Sequence, residues 1–132
     1  MLRAIQEWLS SYWVVPRFNA HVTTGNRQGA GTNSTVWMQL IDSTGKVSEK
    51  TCLDHTFVND HERGETHVYG VSCKGLDKPE DIACISVWRD RTMIVDDRWF
   101  LDIIVVNIFI RKTGKYSTTK KYFPSGLIMN IP

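Results

Sequence analysis

Long apolar runs are absent from this chain. The most hydrophobic stretch, Ile103 to Ile110, is eight residues long and is interrupted by Asn107, whereas a membrane-crossing helix takes about 20 apolar residues. A secretory leader is not expected either, because Gln6 and Glu7 break the apolar residues near the start. Cysteine is scarce. Cys52, Cys73 and Cys84 are odd in number and lack metal-ligand spacing, which excludes a disulfide framework and predicts buried thiols in a reducing compartment. No excess of one charge exists: the formal net charge is +2, so neither a nucleic-acid footprint nor a strongly acidic partner is expected. Arg111, Lys112, Lys115, Lys120 and Lys121 do gather late in the chain, and read as a solvated hairpin tip. No Gly-x-Ser-x-Gly occurs, which removes the serine-hydrolase elbow.

The 132 residues, 42% of them hydrophobic, suit one compact domain. Residues 1–18 read as an amphipathic helix or linker and 19–132 as a β-sandwich domain. Leu2, Ile5 and Leu9 recur at helical spacing, Trp8, Tyr12 and Trp13 lie alongside, and Pro16 ends the pattern. From Phe18 the period becomes two. Val36, Met38 and Leu40 share one face and Trp37 takes the other, before a turn at Asp42-Ser43-Thr44-Gly45. Val68 to Val71 and Ile82 to Trp88 read as further strands. Leu101 to Ile110 is apolar on both faces, as a central strand would be. Lys112-Thr113-Gly114-Lys115 then turns into a last strand over Tyr116 to Phe123. Short strands punctuated by Gly and Pro predict an all-β, antiparallel sandwich of about eight strands with a short amino-terminal helix.

Three blocks carry more than architecture. They are the Gly-rich loop Thr24 to Asn33, the segment Phe57-Val58-Asn59-Asp60-His61-Glu62-Arg63-Gly64, and Asp97 to Val105. In order and spacing they resemble the PLAT domain, named for polycystins, lipoxygenases and clostridial alpha-toxin. The resemblance runs from about His21 to Phe123 and is nearest to the amino-terminal domain of animal lipoxygenases. Tyr122-Phe123-Pro124 fits the family ending, but Ser125-Gly126-Leu127-Ile128 replaces the Cys and Arg-Trp that the family places next.

The resemblance implies calcium between the first two loops, with Asn33, Asn59, Asp60 and Glu62 as ligands. These are the hard oxygen donors that calcium takes. Asn33 and Ser34 stand where the family has an acidic pair, which lowers the ligand charge. The glycines at 25, 29 and 31 are expected to supply positive φ so that carbonyls turn inward. Iron lipoxygenases hold their metal with histidines on long helices; this chain has none, so His21, His55, His61 and His67 are not read as a redox centre, and no catalysis is expected.

The loop Asp90 to Arg98 places Met93, Ile94 and Val95 between charged flanks. Burying such a side chain is worth about 1.5–3 kcal/mol, enough for reversible docking on a phospholipid surface. Arg91 and Arg98 add attraction to anionic lipid, whereas Asp90, Asp96 and Asp97 oppose it unless a cation neutralises them. The expected role is a non-catalytic, calcium-assisted docking module for an associated protein, cytoplasmic and peripheral to membranes. The alternative is a protein-interaction module in which Trp37, on an exposed sheet face, contacts another domain. A lectin-like sandwich shares the architecture but sits poorly with odd thiols and no leader.

Overall fold

The computed structural model describes residues 17–28, 30–32, 34–54, 60–90, 99–112 and 114–129. The anticipated amino-terminal helix lies outside them. Among the described residues seven strands form two antiparallel sheets, and no helix is long and apolar enough to cross a membrane. The strands are β1 (Arg17–Thr24), β2 (Val36–Asp42), β3 (Thr51–Cys52), β4 (Thr66–Val71), β5 (Ile82–Arg89), β6 (Leu101–Lys112) and β7 (Lys115–Pro124). One sheet has the order β4-β1-β6-β7 and the other β3-β2-β5. Against the expectation of about eight, these seven are the strands among the described residues. After a 3-10 turn at Ser125–Leu127, Met129 bridges Ser86 in parallel and Ile128 is buried in the core.

Alternation builds the interior. Phe18, Ala20 and Val22 of β1 point inward, as do Val36, Met38 and Leu40 of β2 and Ile104, Val106 and Ile108 of β6. Because side chains alternate at every residue, a one-residue slip would turn a whole set outward. The two registers do shift, between Thr23 and Thr24 and between Ile41 and Asp42. The extra residue is on the partner strand each time, Asp102 and Ala83, so that Thr24 and Asp42 keep the inward series of their own strands and are both buried.

Asp42 uses that inward position to tie together one end of the sandwich. Its Oδ1 accepts from the Thr44 amide at 2.9 Å, the Thr44 hydroxyl at 2.6 Å and the Lys46 amide at 3.0 Å. Its Oδ2 accepts from the amides of Asp77 and Lys78, both at 2.8 Å. Burial alone would raise this carboxyl. The donors of Lys78, Thr44, Asp77 and Lys46 outweigh burial and hold it well below its ordinary value of 3.8. A carboxyl depressed on folding contributes stability above its unfolded value and loses it as pH falls toward the folded one. The protein should therefore lose stability steeply below about pH 4, and Asp42→Asn should flatten that loss while lowering stability at neutral pH. Urea unfolding of both proteins across the acid range measures this; parallel pH profiles would refute it.

Candidate functional site

Antiparallel connectivity sends the β1–β2, β3–β4 and β5–β6 connections to the pole opposite Asp42. Backbone hydrogen bonds stitch them together. Thr24 N–H donates to Glu65 O at 3.0 Å, Gly64 N–H to Gly25 O at 3.1 Å and Thr32 N–H to His61 O at 3.1 Å. The third connection is attached by Gly25 N–H to Phe100 O at 2.7 Å, Phe100 N–H to Ala30 O at 2.9 Å and Asp90 N–H to Thr35 O at 2.9 Å. Asp90 and Phe100, on either side of residues 91–98 in the chain, are thus both bonded to the first connection.

The glycines serve closeness rather than left-handed backbone. Neither Gly25 nor Gly31 has positive φ, which corrects the expectation from sequence; Gly29 lies outside the described residues. A Cβ on Gly25 would stand 3.0 Å from the Phe100 carbonyl oxygen, and one on Gly31 would stand 3.0 Å from that of His61. Side chains there would push the three loops apart. The left-handed residues are in the second loop, where His61 at φ 62° and Gly64 at φ 71° make the turn.

Beneath the loops lies an aromatic floor, to which His61 contributes a ring that sequence reading did not place there. Trp99 is 3% exposed, and its indole N–H donates to the Thr24 hydroxyl at 3.0 Å. His61 meets Trp99 edge-on at 5.0 Å between ring centroids and stacks on Tyr69 at 5.7 Å. Its Nε2 lies 2.8 Å from the Leu53 carbonyl oxygen, which can only accept, so the ring proton sits on Nε2. Burial pushes this imidazole below its usual value, against the pull of the Leu53 carbonyl and Asp60. The ring is therefore neutral at physiological pH. Burial first, and then the neighbouring Asp60 carboxylate, drive the Tyr69 phenol far upward.

The expected ligands divide between two environments. The Asp60 side chain is 3% exposed, lies 3.9 Å from His67 Nδ1 and turns inward toward Tyr69. Glu62 is half-buried, with Oε2 3.3 Å from the Cβ position of Gly31, so its carboxylate stands between the first two loops. Arg63 Nε donates across to the first loop, to Asn26 Oδ1 at 3.3 Å. Ser34, in the place of a family acid, receives a 3.4 Å hydrogen bond from Arg89. Asn33, Asn59, Arg91, Met93, Ile94, Val95 and Arg98 lie outside the described residues. Among the described residues no three His, Cys, Asp or Glu side chains gather as a metal site.

Trp37 is half-buried rather than bare. Its indole donates to Asp90 Oδ1 at 3.1 Å, Lys50 Nζ covers its ring at 4.5 Å, and its cross-strand neighbours are Cys52 and Trp88. Phe100 is also half-buried, with the Arg27 guanidinium 4.0 Å above its ring. The three cysteines are free thiols but not buried: Cys52, on a two-residue edge strand, is exposed, and the other two are intermediate.

Residues 18–121 match the family described as PLAT/LH2 domain. A mouse protein, polycystin family receptor for egg jelly, is 30% identical over 91 residues, which cover 69% of this chain and 4% of that protein. Among solved structures, coral 8R-lipoxygenase superposes with a TM-score of 0.56 at 24% identity, covering 82% of this chain and 17% of the enzyme. The alpha-toxin of Clostridium perfringens gives 0.60 at 18% identity, covering 86% and 32%. The chain therefore spans a small part of each of these relatives, and the two solved structures share its fold.

Proposed function

Because the chain belongs to the PLAT/LH2 domain family, we propose that it is a non-catalytic docking module whose loop pole rests on a phospholipid surface and carries an associated protein there. The observation that supports this reading is the gathering of three connections at one pole, with Asp90 and Phe100, which flank residues 91–98 in the chain, both hydrogen-bonded to the first connection, itself bonded to the one that bears Asp60 and Glu62. Met93, Ile94 and Val95 then enter the lipid interface, and Arg91 and Arg98 lie at headgroup level. A domain that works in this way is peripheral to the cytoplasmic face of a membrane.

Calcium is the proposed assistant. The coral enzyme is described as activated by calcium through a C2-like domain. Calcium takes six to eight oxygens, and of the four expected ligands the two described ones offer one open carboxylate, Glu62, with Asp60 turned inward. A fit here depends on Asn33 and Asn59 completing the set, and a set with so little charge binds weakly. The ion would offset the Asp90, Asp96 and Asp97 charges that repel lipid phosphate. Calorimetric calcium titration is expected to give a site between micromolar and millimolar affinity, weakened about tenfold or more by Glu62→Gln. Vesicle sedimentation should rise with calcium. A silent titration would remove the ion, and equal, negligible sedimentation on anionic and zwitterionic vesicles would remove the membrane.

A second reading is supported by the pairing of Trp37 with Trp88 on the outer face of the three-stranded sheet. If that face contacts another domain, Trp37→Ala should weaken partner capture while changing residues 93–95 to serine leaves it intact. The reverse pattern in a pull-down with the associated protein would refute it.

A further inference from the structure

Two guanidinium groups at the loop pole are braced in place and carry no counter-charge. Arg27, on the first connection, is exposed, and its guanidinium carbon stands 4.0 Å from the centroid of the Phe100 ring. Arg63, on the second connection, is exposed too and donates from Nε to Asn26 Oδ1 at 3.3 Å. Asn26 precedes Arg27 in the chain, so one short segment places both groups. That segment is clamped. Gly64 N–H donates to Gly25 O at 3.1 Å, and Gly25 N–H to Phe100 O at 2.7 Å. A Cβ on Gly64 would stand 3.3 Å from Asn26 Oδ1, so glycine there lets the amide that holds Arg63 come close. Among the described residues neither arginine forms an ion pair. The carboxylates of the second connection are directed elsewhere: Glu65 bonds to His67 at 2.8 Å, Asp60 turns toward Tyr69, and Glu62 stands beside Gly31.

We infer that Arg27 and Arg63 are a binding pair for the phosphate of an anionic lipid headgroup, and that they work without calcium. The inference rests on the docking role proposed above and adds to it the residues that select headgroup charge. Contact with an aromatic face uses none of a guanidinium's N–H groups, so Arg27 keeps its full set of donors. Arg63 spends Nε on Asn26 and keeps the donors of its Nη groups. Such forks match phosphate oxygens in pairs, and side chains already braced lose little further freedom on binding. The source of the phosphate follows from magnitude. One cation near an anionic surface is worth only about fivefold in binding, a gain that a sheet of headgroups supplies to both arginines at once. Calcium does not enter this contribution, because a guanidinium carries its charge at any calcium level. Docking then has two electrostatic parts, one that calcium switches through Glu62 and one that is always present.

The test is sedimentation of the full chain with vesicles of phosphatidylcholine alone and of phosphatidylcholine mixed with phosphatidylserine, each in calcium and in chelator. In chelator the parent should favour the serine-containing vesicles. Arg27→Gln or Arg63→Gln should lower that binding about fivefold and the double variant about thirtyfold, with binding to phosphatidylcholine alone and the melting temperature unchanged. Lys120→Gln removes an exposed charge of the same sign from β7 and should alter binding by less than about twofold. Inorganic phosphate at millimolar concentration should leave the parent on the vesicles. A double variant that binds like the parent overturns the inference. So does an equal fall in Lys120→Gln, which would mean that net charge alone matters, or displacement by inorganic phosphate, which would make the ligand a free anion. A parent that sediments in calcium but not in chelator overturns the inference and leaves the docking role standing. A parent that sediments with neither vesicle in either condition overturns both.

Discussion

Replacing Met93, Ile94 and Val95 together with serine should reduce partitioning onto phospholipid vesicles by at least about a hundredfold, with little change in melting temperature. Full burial of the three side chains would bring about 1.5–3 kcal/mol each. Partial insertion of the tip leaves about 3–6 kcal/mol, and the lower figure already corresponds to a factor of about a hundred. The fold should tolerate the change because the segment is held by its flanks. Asp90 N–H bonds to Thr35 O at 2.9 Å, and Trp99 is packed beneath the loops. Sedimentation with anionic vesicles in calcium, beside a thermal melt of each protein, makes the measurement. A variant that sediments like the parent would mean that these residues pack against the protein itself and that lipid contact lies elsewhere. A large fall in melting temperature would carry the same message.

Trp99→Ala is expected to lower stability by about 3–5 kcal/mol, the range for removing a large buried aromatic. For a domain of this size that is a fall of roughly 10–20 °C in melting temperature. The loss has three parts: the volume between the sheets, the hydrogen bond to Thr24 at 3.0 Å and the edge-on support of His61 at 5.0 Å. Trp99→Phe keeps most of the volume and gives up the hydrogen bond, so it should cost less than half as much. Because the same indole floors all three loops, the alanine variant should also bind vesicles less well even where it remains folded. Calorimetric melts of the two variants separate these parts. If the alanine protein melts within a few degrees of the parent, the aromatic floor does not hold the pole together.

Much of the sandwich was legible because its signals are local. Alternation in Thr35 to Leu40 marked β2, the run from Ile82 to Trp88 marked β5, and the doubly apolar stretch from Leu101 marked β6 as central, with β1 on one side and β7 on the other. The two-residue β3 is too short to leave a period. The roles of Asp42 and His61 were not legible for a different reason. Asp42 reads as a turn residue, and so it is, but its second oxygen serves amides 35 and 36 residues away. His61 reads as a polar loop residue, yet a left-handed backbone and two aromatic rings, Tyr69 of β4 and Trp99 just before β6, make it part of the interior. Asp60 was read as an open ligand for the same reason: Tyr69, which draws it inward, becomes its neighbour only when the loop returns into β4. Cys52 was expected to be buried as an unpaired thiol, but on an edge strand its side of the pleat faces outward.

The flank formed by β7 has a bearing on how such a domain behaves when many copies crowd one surface. This ten-residue strand closes the four-stranded sheet, with β6 as its neighbour in that sheet, and long free strands invite pairing between molecules. Here the flank is guarded. Lys120 projects as an exposed charge, Lys121 reaches across to the carbonyl of Ile82 at 2.7 Å, and Pro124 ends the strand. Neighbouring molecules held in one orientation would meet fixed positive charges and a backbone that cannot extend the ladder at its end. Dense packing in two dimensions can then proceed without nucleating fibres.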